Sequence, residues 1–407
     1  MSYLLALTIL LAPTYAIKFS LLGFPTNLLL VWLLAFWIIF TAYLTNKKLW
    51  GEFFFLSPIN KKLLIAVSAF FLAGIISLSI GGITQAKLGQ FIVLFLQPIS
   101  VFFIGRFIIQ KKPNALSIIL YSLYFILALA GAYAILQYFT LVGLPPEYWG
   151  NSVEPKRALS FFSHPNFYSL FSAPLLALLV PDLIQNLKFK ILNLKLLAWL
   201  LGAAGLFFSL SRAGWLGLLA AIIVFLIVAA DKRTRLTFFG LILVGIISVF
   251  SVTTLRYRII LPLLGEKSAV SRISLWDTGW KAVKETPVLG MGLTGFSQNW
   301  SRLNADPNID SHNFPHNVFL NFWVETGLLG LISFIAIASL FIYRGLKNTS
   351  PPAKEKTDHE VVGWSDYKMI KLGIALFLIT LITQGFIDNP YFKNDLAVVF
   401  WVILSLI

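Results

Sequence analysis

Ser311–Gly330 reads SHNFPHNVFLNFWVETGLLG, a polar, histidine-bearing loop that runs directly into an apolar helix. It holds two of the four histidines in the chain, His312 and His316, and places Glu325 in a run too apolar to carry a charge without a reason. The apolar run continues from His316 to about residue 345. At ~1.5 Å rise per residue it spans a bilayer core of roughly 30 Å.

The rest of the chain repeats this pattern. Of 407 residues, 58% are hydrophobic and 12% charged, and the mean hydropathy is +0.83, values outside those of soluble domains. Apolar runs near 3–20, 26–44, 62–81, 88–109, 115–141, 165–185, 191–209, 213–230, 236–255, 316–345, 367–387 and 395–407 predict about 12 transmembrane helices. The expected fold class is all-α: a polytopic transmembrane helix bundle, one integral membrane domain over 1–407, with no separate soluble domain. The apolar stretch Tyr3–Ala16 follows no basic segment and is read as a retained first helix. The absence of cysteine excludes disulfides, thiol catalysis and Cys-ligated metal.

A net charge of +15 would suggest nucleic acid in a soluble protein. Here the basic residues cluster between spans: Lys47, Lys48, Lys61 and Lys62; Lys111 and Lys112; Lys188, Lys190 and Lys195; Lys232, Arg233 and Arg235; Arg344, Lys347, Lys354, Lys356, Lys368 and Lys371. Every second connection is basic, which places both termini in the cytoplasm and argues for no nucleic-acid partner. The polar loop 346–366, with Pro351-Pro352, is then a mobile cytoplasmic segment, and its His359 a surface residue. The outer face receives Gly143–His164, the turn SLSRAG at Ser209–Gly214, and a long extracytoplasmic loop over 256–315. A loop of that length in a compact protein is usually functional.

Within the long loop, Ser271–Pro287 predicts a short surface helix with a serine cap and a proline stop. Arg272, Trp276 and Trp280 share one face, as in a helix lying at a membrane surface. Gly290-Met-Gly-Leu-Thr-Gly295 has the form of a dinucleotide fingerprint but lacks a preceding strand. It is read as a tight turn that lets backbone approach the bilayer.

The predicted outer face thus collects Arg157, His164, Arg212, Arg272, His312 and His316. Arginine forks hold phosphate oxygens bidentately, and more strongly in a low-dielectric rim than in water. Arg212, in a six-residue turn between apolar helices, either grips such an anion or snorkels to headgroups; Arg272 has the same two readings. His316, followed by Asn317, either accepts a proton from an attacking hydroxyl or serves as a helix-terminal hydrogen-bonding residue. Glu325 either pairs with an arginine or orients a polar neighbour, or else belongs to a purely structural pair. His164, before Pro165, is read as a helix cap. His312 and His316 have a zinc-like spacing, but Pro315 interrupts the helix and no third ligand is evident, so no metal site is expected.

In order and spacing, Ser211-Arg212-Ala213-Gly214, Ser271-Arg272 with Trp276, Pro287 and Gly290-x-Gly292-x-x-Gly295-Phe296, then His316-Asn317-x-x-Leu320 and Glu325-x-Gly327-x-x-Gly330, resemble the signature region of the O-antigen ligase and O-antigen polymerase superfamily. The resemblance covers about 200–345, and Asp388-Asn-Pro-Tyr-Phe-Lys-Asn-Asp395 is similar to bacterial members as well. It implies a fold of the membrane-embedded glycosyltransferase type. The implied activity is metal-independent, cofactor-free transfer of a glycan from an undecaprenyl-pyrophosphate carrier to an acceptor on the outer face of the bacterial inner membrane. By resemblance Arg212 and Arg272 hold the donor pyrophosphate and His316 assists the acceptor hydroxyl. Glu325, His312, Arg157 and Asn317 are added as supporting residues on position alone. The expected chemistry is attack on the anomeric carbon with inversion. Expected partners are the carrier-linked glycan, an acceptor glycan or lipid A-core, and membrane lipids. Trp149, Trp276, Trp280 and Trp300 are candidates for stacking on sugar. O-antigen polymerase and protein O-oligosaccharyltransferase differ only in acceptor. A secondary transporter of twelve helices is the rival of another class, and such carriers usually place their ionisable sites at mid-membrane.

Overall fold

The computed structural model describes residues 1–21, 24–54, 60–112, 114–151, 155–186, 193–251, 256, 267–304, 313–347 and 364–407. Its helices are α1 (Ser2–Leu10), α2 (Leu28–Asn46), α3 (Trp50–Phe54), α4 (Lys61–Ser79), α5 (Gln85–Phe91), α6 (Gln97–Lys111), α7 (Ala115–Thr140), α8 (Pro165–Asn186), α9 (Leu194–Phe208), α10 (Arg212–Val228), α11 (Lys232–Ser251), α12 (Lys267–Glu285), α13 (Gly295–Gln298), α14 (Trp300–Leu303), α15 (Val318–Leu346), α16 (Trp364–Gly385) and α17 (Asn394–Leu404). Among the described residues, seven are long and apolar enough to cross a membrane: Leu28–Asn46, Lys61–Ser79, Gln85–Lys111, Ala115–Thr140, Pro165–Gln185, Val318–Leu346 and Tyr367–Gly385. Leu194–Phe208, Arg212–Val228 and Asn394–Leu404 are apolar but shorter. The chain is a polytopic helical membrane protein, as its composition requires.

Two ends of the expected layout differ. The span anticipated at 3–20 stops at Leu10, because Pro13 cannot continue an α-helix and sits instead in a 3-10 turn, Ala12–Ala16. The chain then forms an antiparallel hairpin, Lys18–Leu21 against Phe24–Asn27, in register Lys18↔Asn27. The last span shortens to α17. His312, His359 and most of the loop at 346–366 fall outside the described residues.

The chain divides into two compact units. The first comprises Met1–Ile126, Trp276–Phe341 and Asp388–Ile407. Helix α17 is its centre, buried at every residue from Asn394 to Leu404, which is where a helix apolar on all sides belongs. Around it Phe70, Phe102, Phe322, Phe334, Tyr391, Phe400 and Trp401 form one aromatic cluster, with the Phe322 and Phe334 rings 4.3 Å apart. Between α5 and α6, Ile92–Leu96 form a π-helical turn. Such a turn shifts the backbone hydrogen-bond register, and the Leu94 carbonyl accepts the Tyr391 hydroxyl at 2.6 Å. The Tyr391 hydroxyl in turn accepts Trp401 Nε1 at 3.0 Å, so this one side chain ties the segment entering α17 to the π-helical turn and to α17 itself.

Helix α15 is interrupted at Gly327 (φ 67°, ψ −169°). An interruption at membrane depth needs partners for its freed backbone groups, and three are supplied. Met291 N–H donates to Val324 O at 2.6 Å, Leu328 N–H to Val288 O at 2.9 Å, and the Ser77 hydroxyl to Glu325 O. The backbone of the glycine-rich turn thus packs against the break in this helix. A Cβ on Gly290 would lie 2.6 Å from Gly327 N, and one on Gly327 2.3 Å from Val288 O.

The second unit comprises Leu127–Leu275 and Ile342–Ile387. Helix α8 runs through it largely buried. Where α7 crosses α9, a Cβ at Gly131 would sit 2.2 Å from Leu201 O, so the backbones touch as small residues allow in membranes. Thr380 Oγ1 donates to Gly217 O at 3.2 Å and Gln384 Nε2 to Ser169 O at 3.1 Å, tying α16 to α10 and α8.

Candidate functional site

In the first unit the chain enters α15 through Pro315-His316-Asn317. Asn317 Oδ1 accepts the backbone N–H of Phe319 (3.1 Å) and of Leu320 (3.0 Å), making it the N-cap of α15. That accounts for Asn317 structurally. His316 precedes the cap with φ 48°, a left-handed conformation unusual for a residue with a Cβ. Two contacts fix it there: Trp276 Nε1 donates to its carbonyl at 3.3 Å, and its Nδ1 lies 2.9 Å from Asp388 Oδ1.

The His316–Asp388 contact defines the chemistry of the ring. The Asp388 side chain is 3% exposed and that of His316 22%. Asp388 Oδ1 also accepts the Asn389 N–H at 2.9 Å. A carboxylate can only accept, so it selects the tautomer with hydrogen on Nδ1 and leaves the Nε2 lone pair as the basic site. Asp388 was not singled out from the sequence. It lies 72 residues from His316, and its signal was an Asp-Asn-Pro opening the Asp388–Asp395 stretch between two apolar segments.

Glu325 is 1% exposed, and its Oε2 has no hydrogen-bond partner among the described residues. The carboxyl accepts the backbone N–H of Thr294, a residue of the glycine-rich turn with φ 65°. Among the described residues no arginine is paired with it, and its contact with Thr294 links the turn to the helix at the break in α15. Of the tryptophans considered for sugar stacking, Trp300 is buried against Phe296, with ring centroids 5.7 Å apart, and is excluded. Trp280 is exposed and meets Trp323 edge-on at 5.6 Å.

In the second unit, the turn Ser209–Ser211 joins α9 to α10, and Arg212 is the first residue of α10, half-buried. Leu210 within that turn has φ 49°. Arg157 Nε donates to Ser209 O at 3.0 Å and its Nη2 to Asn166 Oδ1 at 2.7 Å. His164 Nδ1 accepts the Asn166 N–H at 3.0 Å, so His164 caps α8 as its position before Pro165 suggested. Arg272 lies within α12, described from Lys267 to Glu285; Ser271 is thus an interior residue and not the cap expected. Arg272 Nε donates to Ile387 O at 3.0 Å, which fixes the plane of its guanidinium. Trp149 is exposed, with its indole N–H bound to Leu144 O at 2.7 Å.

These features describe a multi-pass helical membrane protein that holds a His–Asp pair in one unit and two helix-borne arginines, Arg212 and Arg272, in the other. Residues 196–335, about a third of the chain, match the family model of the O-antigen ligase. A protein of Haemophilus influenzae described as uncharacterized is 27% identical over 160 residues, covering 34% of this chain and 39% of that protein. The match thus spans less than half the length of that relative.

Proposed function

We propose that the protein transfers a glycan from an undecaprenyl-pyrophosphate carrier to an acceptor hydroxyl at the outer face of the bacterial inner membrane, as an O-antigen ligase does, inverting the anomeric carbon without a metal ion. The observation that carries this reading is the His316–Asp388 pair, with 2.9 Å between Nδ1 and Oδ1, in a chain whose residues 196–335 match the ligase. The acceptor oxygen attacks the anomeric carbon while its proton moves to His316 Nε2. The bond from that carbon to the pyrophosphate oxygen breaks, and the electron pair leaves with the phosphate. Arg212 and Arg272 offset the charge that develops there. Asp388 stabilises the imidazolium until it returns its proton to water. The positive-inside pattern supports an outer-face site.

The test uses purified protein in vesicles containing a lipid-pyrophosphate-linked glycan. Lipid A-core, a second carrier-linked glycan, or a Ser/Thr peptide is offered as acceptor. Transfer to lipid A-core is expected. Transfer to the second or third acceptor instead assigns polymerisation or protein glycosylation. An Arg212→Ala chain that inserts correctly and transfers at the normal rate refutes the mechanism, and solute counterflow without any glycan transfer would favour a carrier.

A further inference from the structure

The segment before α8 docks on the end of α9 through the Arg157 side chain and the Ala158 backbone N–H. The last carbonyls of a helix have no partner within it, and at α9 two are met by this segment: Phe208 O accepts the Ala158 N–H at 3.0 Å and Ser209 O accepts Arg157 Nε at 3.0 Å. The same guanidinium reaches Asn166 Oδ1 on α8 at 2.7 Å, while the Arg157 N–H donates to Tyr148 O at 3.0 Å. Arg157 thereby joins its own loop, the end of α9 and the start of α8.

Three residues beyond Ser209 stands Arg212, the first residue of α10. The connection between them is strained: Leu210 holds φ 49°, where its Cβ crowds the backbone. Besides Arg157, the Ser209 hydroxyl acts as a brace, donating to Leu206 O at 2.7 Å and accepting the Ser211 N–H at 3.3 Å. A strained turn keeps one conformation only while its surroundings over-determine it.

We infer that Arg157 is a positioning residue that holds the Ser209–Ser211 turn and so sets the place from which Arg212 meets the donor; the inference rests on the donor-binding role proposed for Arg212. Lysine cannot substitute, because a single ammonium lacks the planar fork that serves Ser209 O and Asn166 Oδ1 together. The native chain contains no cysteine, so Ser211→Cys introduces one thiol in the turn, at a site 3% exposed. With Arg157 intact, that thiol should resist a membrane-impermeant maleimide; with Arg157→Ala or Arg157→Lys it should be labelled readily. Asn166→Ala, which keeps the guanidinium and removes one of its acceptors, should give intermediate labelling. It serves as the measurement should Arg157→Ala fail to insert.

In transfer assays, Arg157→Ala should lower kcat/KM for the lipid-linked donor by about tenfold or more, since a displacement of ~1 Å is enough for such a loss. In an Arg212→Ala background the same change should have little further effect. Unchanged labelling overturns the inference, and so does full rescue of activity by Arg157→Lys or a full extra loss beside Arg212→Ala. If Arg212→Ala alone transfers normally, the donor reading fails; labelling that still rises with Arg157→Ala would then separate that failure from one of the turn's geometry.

Discussion

Replacing Asp388 by asparagine tests the proposed base most directly, because it changes charge and tautomer control with almost no change in volume. Asp388 Oδ1 receives His316 Nδ1–H at 2.9 Å and the Asn389 N–H at 2.9 Å, inside a pocket that leaves the aspartate side chain 3% exposed. An asparagine oxygen could keep both contacts but would no longer stabilise the imidazolium. If the amide turned its nitrogen toward the ring, hydrogen would move to Nε2 and the base would be lost. A positioned general base contributes about 10²–10⁴ in rate. Asp388→Asn should therefore reduce kcat by about 10² or more, roughly 2.7 kcal/mol at 1.36 kcal/mol per factor of ten. Asp388 acts only through His316, so KM for the donor should stay near its starting value. Transfer from a lipid-pyrophosphate-linked glycan in vesicles, at saturating donor and acceptor, provides the readout. In a His316→Ala background the substitution should cost nothing further, as expected for two residues acting as a unit. A kcat within twofold of the parent, or penalties that add in the double variant, would refute the His–Asp pair as the catalytic base.

Gly327→Ala should be severe, since its Cβ would fall 2.3 Å from Val288 O at φ 67°. A cost of about 3 kcal/mol and a fall of ~5 °C in the detergent-extracted thermal midpoint are expected. Gly240→Ala in α11, with nothing within 4 Å of its Cβ, should leave the midpoint unchanged or slightly raised. Lys393 offers a test by pH. Burial pushes its ammonium down to about 8, against the raising pull of Asp395 and Asp388, whereas an unfolded lysine titrates near ~10.4. Between those values the unfolded chain binds more protons than the folded one, so stability should rise with pH across that window. The thermal midpoint of the parent should climb relative to that of Lys393→Met from pH 8 to 10; parallel profiles would show that Lys393 does not titrate in this way.

Composition and span length were enough to read a helical membrane protein, because in lipid every backbone group must be satisfied within a helix or a closed barrel. They read helix ends poorly where local chemistry intervened. Pro13 ended α1 early, and a 3-10 turn and the first strand of the Lys18–Asn27 hairpin take the second half of an anticipated span; summed hydropathy does not register a backbone break. Arg212 stood out as a charge in a short turn between apolar helices, and His164 as a cap before proline. Asp388 stayed silent because its meaning comes from a residue 72 positions away, and no local period encodes such a pairing. Glu325 was legible as a charge that needed a partner, but which partner was left open; the structure gives it the Thr294 N–H of a turn built by glycines.

Those departures share a cause. His316, Leu210 beside Arg212, Thr294 facing Glu325, and Gly327 all have positive φ, and each lies where a helix starts, stops or breaks. A residue inside a membrane helix has its backbone satisfied and its side chain pressed against lipid or a neighbouring helix. Only where the ladder is interrupted are polar groups required, to cap a terminus or to meet a freed carbonyl. Such groups are the ones that can be fixed rigidly enough to hold a base or an anion-binding arginine. In this chain the polar contacts that repair the backbone and two of the residues proposed for transfer, His316 and Arg212, therefore lie at the same turns. A substitution that loosens a turn should accordingly affect catalysis before it affects insertion, since insertion depends on the apolar spans and transfer on the places where they are broken.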